Sequence, residues 1–362
     1  MLSTQPASTL TSATDLGVAE EKLEKWRELG GDDLEPVLAS SAFALLDAQW
    51  IISHAEAGGV LAHRQALPEE AFLSLADLVE ATGECAGSLP VAALSYPWLT
   101  KDHPDPLGAN LSRVARALKA LLTGVRSFRR LGVFWDFGSL HQHPDPINGV
   151  MRTDEQNALF KQGLDCLGTL YSHKYTTVLR LTSAGQHGGF FSPLLASTTG
   201  TNVAEYFDRG WCYTEASWAS LTKNGALSLD LGRMRNEKEY DCRSLIRECV
   251  QGGGRRPPLL PSAFAVELET KSFTNGKDDK PLVKRLYEAA FEEQFEAAAR
   301  LSYADLGWGD AEAVQLAEVL ASGAVPRLER LYLNGNQIGD EGYNALAAAL
   351  KEGAAPSLQA QE

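Results

Sequence analysis

The stretch Trp211-Cys-Tyr-Thr-Glu215-Ala-Ser-Trp218 holds the residue best placed to do chemistry. Residues four apart share one face of a helix. Trp211 and Glu215 at that spacing would set a carboxylate beside a large aromatic, where burial and neighbours tune its ionisation. The plain structural alternative is a surface helix with Trp211 packed inward and Glu215 in solvent. Asp136 closes an apolar, strand-like run, where it could contact a ribose or cap a turn. Trp98 and Trp135 flank the same region and could stack on a base, although a Trp more often packs into a core. Arg209 could neutralise a phosphate or pair with Asp208. His141 and His143 stand two apart in a Pro/Asp-rich loop near Asp136 and Asp145, but a metal needs a closed set of three or four ligands. No His and Asp stand at a recognisable nucleophile spacing from Ser95, which argues against a serine hydrolase. Cys212 lacks an obvious base and reads as structural.

These residues need a scaffold, and the chain has the pattern of one. Four short apolar runs lack strict alternation: Leu89 to Leu94, Gly132 to Asp136, Thr176 to Leu181 and Ala226 to Leu231. Helical patterns separate them. One carries Leu111, Val114, Leu118 and Leu121 on a face. Another opens with Thr153 and Gln156, spaced as a capping box, and runs through Phe160, Leu164, Leu167 and Tyr171. Strands without alternation, separated by helices, indicate a parallel sheet buried on both faces. Right-handed crossovers make it a doubly wound α/β sheet. Ligands in such sheets bind at the carboxyl ends of the strands, where the loops after Leu94, Asp136 and Leu181 emerge. The expected organisation is a disordered tail over 1–14, a helical N-terminal region over 15–88, the α/β domain over 89–232, a linker with helices over 233–299, and a repeat-bearing tail over 300–362. Within the second region, helices are expected over 18–29, 34–54 and 68–81.

Composition sets limits. The chain has 362 residues, 44% hydrophobic and 22% charged, with a net charge of −14. That charge argues against a general nucleic-acid binder, which needs clustered Lys and Arg. Five scattered cysteines without a CxxC pair support neither a disulfide framework nor a cysteine-rich zinc site. Reduced thiols fit a cytoplasmic protein, no apolar run reaches membrane-spanning length, and the N-terminus lacks the features of a secretory signal. No metal and no cofactor is expected. Gly252-Gly-Gly254 followed by Arg255 and Arg256 could cradle a phosphate, but no strand precedes it and no helix follows at once.

The C-terminal tail repeats at a spacing of thirty. Leu301, Asp310, Leu316, Leu320, Gly323, Pro326 and Leu328 match Leu331, Asp340, Leu346, Leu350, Gly353, Pro356 and Leu358. The second copy reads Leu328-x-x-Leu331-x-Leu333-x-x-Asn336-x-Ile338, a leucine-rich-repeat strand and turn in which Asn would satisfy backbone groups. The first copy has Leu306 where Asn should stand. Two copies cannot easily bury their own faces, so the pair either caps the preceding helix or belongs to a longer array.

Three stretches carry a family resemblance: Ala93-Leu-Ser95-Tyr-Pro-Trp98 with Pro104-Asp-Pro106; Val133-Phe-Trp-Asp136-Phe137 with Leu140-His-Gln142; and Tyr206-Phe-Asp-Arg209-Gly-Trp211-Cys-Tyr-Thr-Glu215. Over residues 89–232 the chain resembles the Toll/interleukin receptor (TIR) superfamily, in particular the TIR-like group that includes heterokaryon-incompatibility proteins. The resemblance implies a flavodoxin-like fold, self-association and signalling. It further implies that Glu215 matches the glutamate that cleaves NAD in catalytic members, a glycohydrolase with NAD as substrate. Substrate contacts are then expected from Ser95, Trp98, Asp136, Arg209 and Trp211, with a protein partner on the leucine-rich repeats. The sequence departs from the usual pattern after Ser95, where Tyr-Pro-Trp follows. Two alternatives stay open: a non-catalytic scaffold in which both parts only bind protein, and a nucleoside-transfer enzyme with the same carboxylate.

Overall fold

The computed structural model describes residues 17–85, 87–100, 103–146, 148–182, 204–250, 255–274 and 276–351. The expected tail over 1–14, the Gly-rich loop after Leu181, the Gly252–Gly254 triplet and the last matches of the repeat lie outside those residues. The central element is a mostly parallel six-stranded sheet in a mixed α/β fold. Its strands are β1 (Leu45–Asp47), β2 (Phe72–Leu73), β3 (Val91–Ser95), β4 (Gly132–Phe134), β5 (Thr177–Arg180) and β6 (Ser228–Asp230), in the order β2-β1-β4-β3-β5-β6. Strands β3 to β6 pair in parallel, with Ala93 opposite both Phe134 and Val178, and Ser95 opposite Arg180. Each of these four coincides with one of the apolar runs of the sequence, β3 extending past its run to Ser95.

The runs lack alternation because both faces are covered. Val91, Ala93, Phe134 and Val178 enter a core with the Leu167–Ser172, Gly210–Trp218, Pro261–Glu269 and Gly276–Glu296 helices. Ala92, Leu94, Val133 and Leu179 enter a second core with the Ala48–Glu56, Ala109–Leu121 and Cys242–Val250 helices. Successive strand residues point to opposite faces, so both faces of β3 to β6 are buried, with apolar residues in most places and buried Ser95, Thr177, Arg180, Ser228 and Asp230 in the rest. The Ala109–Leu121 helix buries Leu111, Val114, Leu118 and Leu121 as its spacing requires. The capping box forms: Gln156 N–H donates to Thr153 Oγ1 (3.2 Å) and Thr153 N–H to Gln156 Oε1 (3.1 Å).

The N-terminal region departs from the expected helices. Residues 34–54 form two helices, Glu35–Ala39 and Ala48–Glu56, with β1 between them. Ser41 turns the chain with a φ of 59°, and the Asp47 side chain caps the second helix by accepting from Gln49 N–H (2.8 Å). Both are local devices that a periodicity count overlooks. Residues 68–81 divide likewise into a 3-10 turn, β2 and the Leu75–Glu80 helix, which carries its own Ser74/Asp77 capping box. Strand β1 pairs antiparallel with β4 and with β2. The stretch expected to be a helical extension therefore contributes two strands, Leu45–Asp47 and Phe72–Leu73, to the sheet.

The tail forms two strand–turn–helix units. Strands β7 (Arg300–Ser302) and β8 (Arg330–Tyr332) pair in parallel with Arg300 opposite Arg330, the thirty-residue register of the sequence. Asn336 Nδ2 donates to the carbonyls of Tyr303 (2.7 Å) and Leu333 (2.8 Å). Its Oδ1 accepts from the N–H groups of Leu306 (3.0 Å) and Trp308 (3.1 Å). One side chain thus satisfies turns in both units. Leu301, Tyr303, Leu306 and Trp308 of the first unit belong to the first core of the α/β sheet. The Trp308 indole donates to the Arg255 carbonyl (2.8 Å), and the Tyr303 hydroxyl donates to the Leu221 carbonyl. The unit lacking Asn is the one that makes these two bonds, and its Leu306 is buried (6% exposed) where the second copy carries Asn336.

Candidate functional site

Strand β3 runs between β4 and β5, and the chain passes from β4 to β5 across it. Such a reversal of strand order opens a crevice at the carboxyl ends. Ser95 is the last residue of β3, fully buried, and Asp136 opens the short Asp136–Ser139 helix that follows β4. The Gly210–Trp218 helix brings Glu215 to the same end. The Phe273 ring closes over Gly210, where an added Cβ would lie 2.0 Å from it, so a larger residue there would displace that ring.

Ser95 Oγ donates to Glu215 Oε2 at 2.5 Å and lies 2.5 Å from the Tyr206 hydroxyl. Burial pushes the Glu215 carboxyl well above the usual carboxylate range; the Ser95 hydrogen bond works against the shift, and the charge of Asp136 adds to it. Asp136 itself is held by three donors: the Tyr96 hydroxyl (2.6 Å) and the Phe137 N–H (2.6 Å) on Oδ1, and the Trp98 indole N–H (2.7 Å) on Oδ2. Burial still outweighs those donors and raises its carboxyl above the ordinary value. Two carboxylates thus share a poorly solvated site, each resisting the ionisation of the other.

The remaining expected residues fall into two groups. Trp98 remains partly exposed at this end of the sheet, edge-on to Phe137 (5.7 Å between ring centroids). Arg209, 8% exposed, donates to the carbonyls of Trp98 (2.5 Å) and Ala204 (2.9 Å). It braces the Trp98 segment. Trp211 is turned elsewhere: its indole donates to Asp279 (3.0 Å) and its ring packs on Phe273. Residues four apart share a helical face, but long side chains diverge once each finds its own partner. Trp135 is fully buried in the second core, edge-on to Tyr96. Cys212 is buried, and burial pushes its thiol well up. The Arg152 backbone N–H donates to His143 Nδ1 (3.1 Å), and among the described residues no group of three His, Cys, Asp or Glu could hold a metal.

Sequence reasoning missed Tyr96, Tyr206 and Tyr171. Tyr96 and Tyr206 lie inside the family-like stretches, yet nothing local marks them as site residues: Tyr206 meets Ser95 across 111 positions and Tyr96 meets Asp136 across 40. Tyr171 feels the charge of Glu215 but gives its hydroxyl hydrogen to the Leu94 carbonyl (2.7 Å), which supports the end of β3.

Among the described residues the site thus offers a carboxyl with one side-chain donor, a second carboxyl nearby and the partly exposed Trp98. Such a set can stabilise positive charge on a bound molecule, and a cation there would ease both carboxylates toward ionisation. Compared with known proteins, the chain has no match among protein-family models, curated proteins or solved structures.

Proposed function

We propose that this protein is a TIR-like NAD glycohydrolase that cleaves the nicotinamide–ribose bond through Glu215. The observation that carries the reading is the Glu215 carboxyl, bonded by Ser95 and raised first by burial and then by the charge of Asp136, at the carboxyl end of the sheet. Nicotinamide in NAD is a cationic pyridinium, and it leaves with the C1′–N bonding pair as a neutral base. The departure needs no proton, so one carboxylate suffices. Positive charge passes to the ribose as oxocarbenium character, which an ionised Glu215 stabilises directly or through the ribose hydroxyls. Water then adds at C1′ and releases a proton, giving ADP-ribose. The cationic substrate also favours the ionised form of Glu215 that burial disfavours in the empty site.

In this reading Trp98 borders the entrance, Asp136 fixes Trp98 and adds negative potential, and Arg209 braces the rim. The second strand–turn–helix unit, a leucine-rich-repeat copy, would bind a protein partner. A scaffold that only binds protein is the second reading, favoured by Tyr332 and Tyr343, which stand 39% and 57% exposed on that unit. Purified protein incubated with NAD, with nicotinamide followed by chromatography, separates the two. Release by the wild type and its loss in Glu215→Ala supports the glycohydrolase. No release, even at high protein concentration or with crowding agents, favours the scaffold.

A further inference from the structure

We infer that Ser95 and Tyr206 form a buried two-hydroxyl chain that reserves one oxygen of Glu215, Oε2, and leaves Oε1 as the oxygen that faces the substrate. This makes Ser95 a positioning residue rather than the substrate contact expected of it. The inference rests on the reading of Glu215 as the reacting carboxylate.

Hydrogen counting fixes the direction of the chain. An ionised carboxylate only accepts, so Ser95 must give its one hydrogen to Oε2. Its 2.5 Å contact with Tyr206 can then be filled only by the phenolic hydrogen moving toward Ser95 Oγ. Two hydrogens serve two contacts. If Glu215 takes a proton on Oε2, three hydrogens compete for those contacts and one is stranded among buried groups. A proton is therefore accommodated on Oε1, and the chain opposes it on Oε2.

Both hydroxyls are held in place. Ser95 is 0% exposed at the end of β3, and Tyr206 is 2% exposed with its ring edge-on to Phe207 at 4.9 Å. Around Glu215 stand Asp136 beyond β4, Tyr171 on the Leu167–Ser172 helix, and Cys212 on its own helix; Arg180 at the end of β5 acts on Tyr206, and Arg209 acts on Cys212. Tyr171 is committed to the Leu94 carbonyl, so it does not compete for Oε2. No hydrogen bond joins Oε1 to a described residue.

The test uses the full chain in four forms: wild type, Ser95→Ala, Ser95→Thr and Tyr206→Phe. Glutamate carboxyls are labelled with 13C, and Glu215→Gln identifies the Glu215 resonance. In Ser95→Ala the Glu215 titration should move upward by roughly one to two pH units, the worth of one hydrogen bond to a charged group. Tyr206→Phe should give a smaller upward shift, and Ser95→Thr, which keeps the hydroxyl, should remain near wild type. An unchanged titration in a folded Ser95→Ala overturns the chain whatever the activity; should that variant not fold, an unchanged Tyr206→Phe does so.

The kinetic arm tests the role. The acid limb of the NAD-cleavage pH profile should move with the resonance, kcat should fall, and KM should hold within about twofold. A raised KM with unchanged kcat and limb would return Ser95 to the substrate contacts and refute the inference. If the wild type releases no nicotinamide, the glycohydrolase reading fails. The titration still decides whether the chain controls Glu215.

Discussion

At the carboxyl end of β3 the charge whose ionisation burial opposes is Glu215; at the amino end of β5 it is Lys223. Glu215 is partly exposed, takes one side-chain hydrogen bond from Ser95, and shares its space with a second carboxylate. Lys223 is fully buried, and its ammonium nitrogen is taken by the carbonyls of His173 and Thr176 (2.6 Å to the latter) and by Thr176 Oγ1 (3.0 Å). Arg255, also buried, donates to the Lys223 carbonyl and further disfavours the lysine's charge. Burial opposes ionisation at both ends, but the consequences differ. Lys223 is sealed by backbone acceptors that fix the start of β5, so it reads as a structural bolt. Glu215 is partly exposed and keeps an oxygen with no hydrogen-bond partner among the described residues, so it can still answer to a ligand. The number of partners, more than burial itself, separates a structural charge from a reactive one.

Glu215→Gln breaks the comparison most sharply. Nicotinamide release should fall by at least on the order of 10²–10³-fold, the range for losing a key electrostatic group. The same change should raise stability at neutral pH. The folded-state carboxyl pKa lies above its unfolded value, so the folded state holds its proton more tightly. That stabilisation is present below the unfolded pKa and is lost as pH rises through the folded one. Melting temperatures of wild type and variant should therefore diverge between pH 5 and pH 8, with the variant higher at pH 8. Equal melting temperatures across that span would show that Glu215 carries no strain.

Lys223→Met should act in the opposite sense, removing about 2–5 kcal/mol of stability by leaving buried acceptors unserved. Denaturant unfolding measures it. Here the folded pKa lies below the unfolded value, so wild-type stability rises with pH from the folded pKa toward the unfolded one, and the variant should lack that rise. A variant as stable as wild type would remove the bolt from the comparison. Asn336→Ala should cost about 1–3 kcal/mol by orphaning turn groups in both strand–turn–helix units. Faster amide exchange at Leu306 and Trp308 would report it, while NAD cleavage stays unchanged. The smallest effect is expected from Asp136→Asn. Removing its charge should lower the Glu215 pKa and shift the acid limb of the pH profile downward, with kcat largely kept. An upward shift would show that Asp136 matters mainly by holding Trp98.

Sequence alone determined the elements whose evidence is local. Short, largely apolar runs separated by helical patterns made β3 to β6 and their parallel pairing legible, because strands buried on both faces carry few solvent-facing positions. The thirty-residue spacing made the register of β7 and β8 legible, and Thr153 with Gln156 disclosed a helix start. Ser95, Asp136 and Glu215 were legible as residues near one sheet edge. Tertiary structure alone decided the rest. It placed β1 and β2 on the edge of the sheet, since Leu45 and Leu46 look helical until Asp47 caps the next helix. It turned Trp211 to Asp279 and Arg209 to two carbonyls, because side chains answer to partners that spacing does not reveal. It joined Tyr206 to Ser95 and Ser95 to Glu215 across 111 and 120 positions. Hydrogen bonds over such separations leave no periodic trace in a chain, because they exist only once the sheet has brought their ends together.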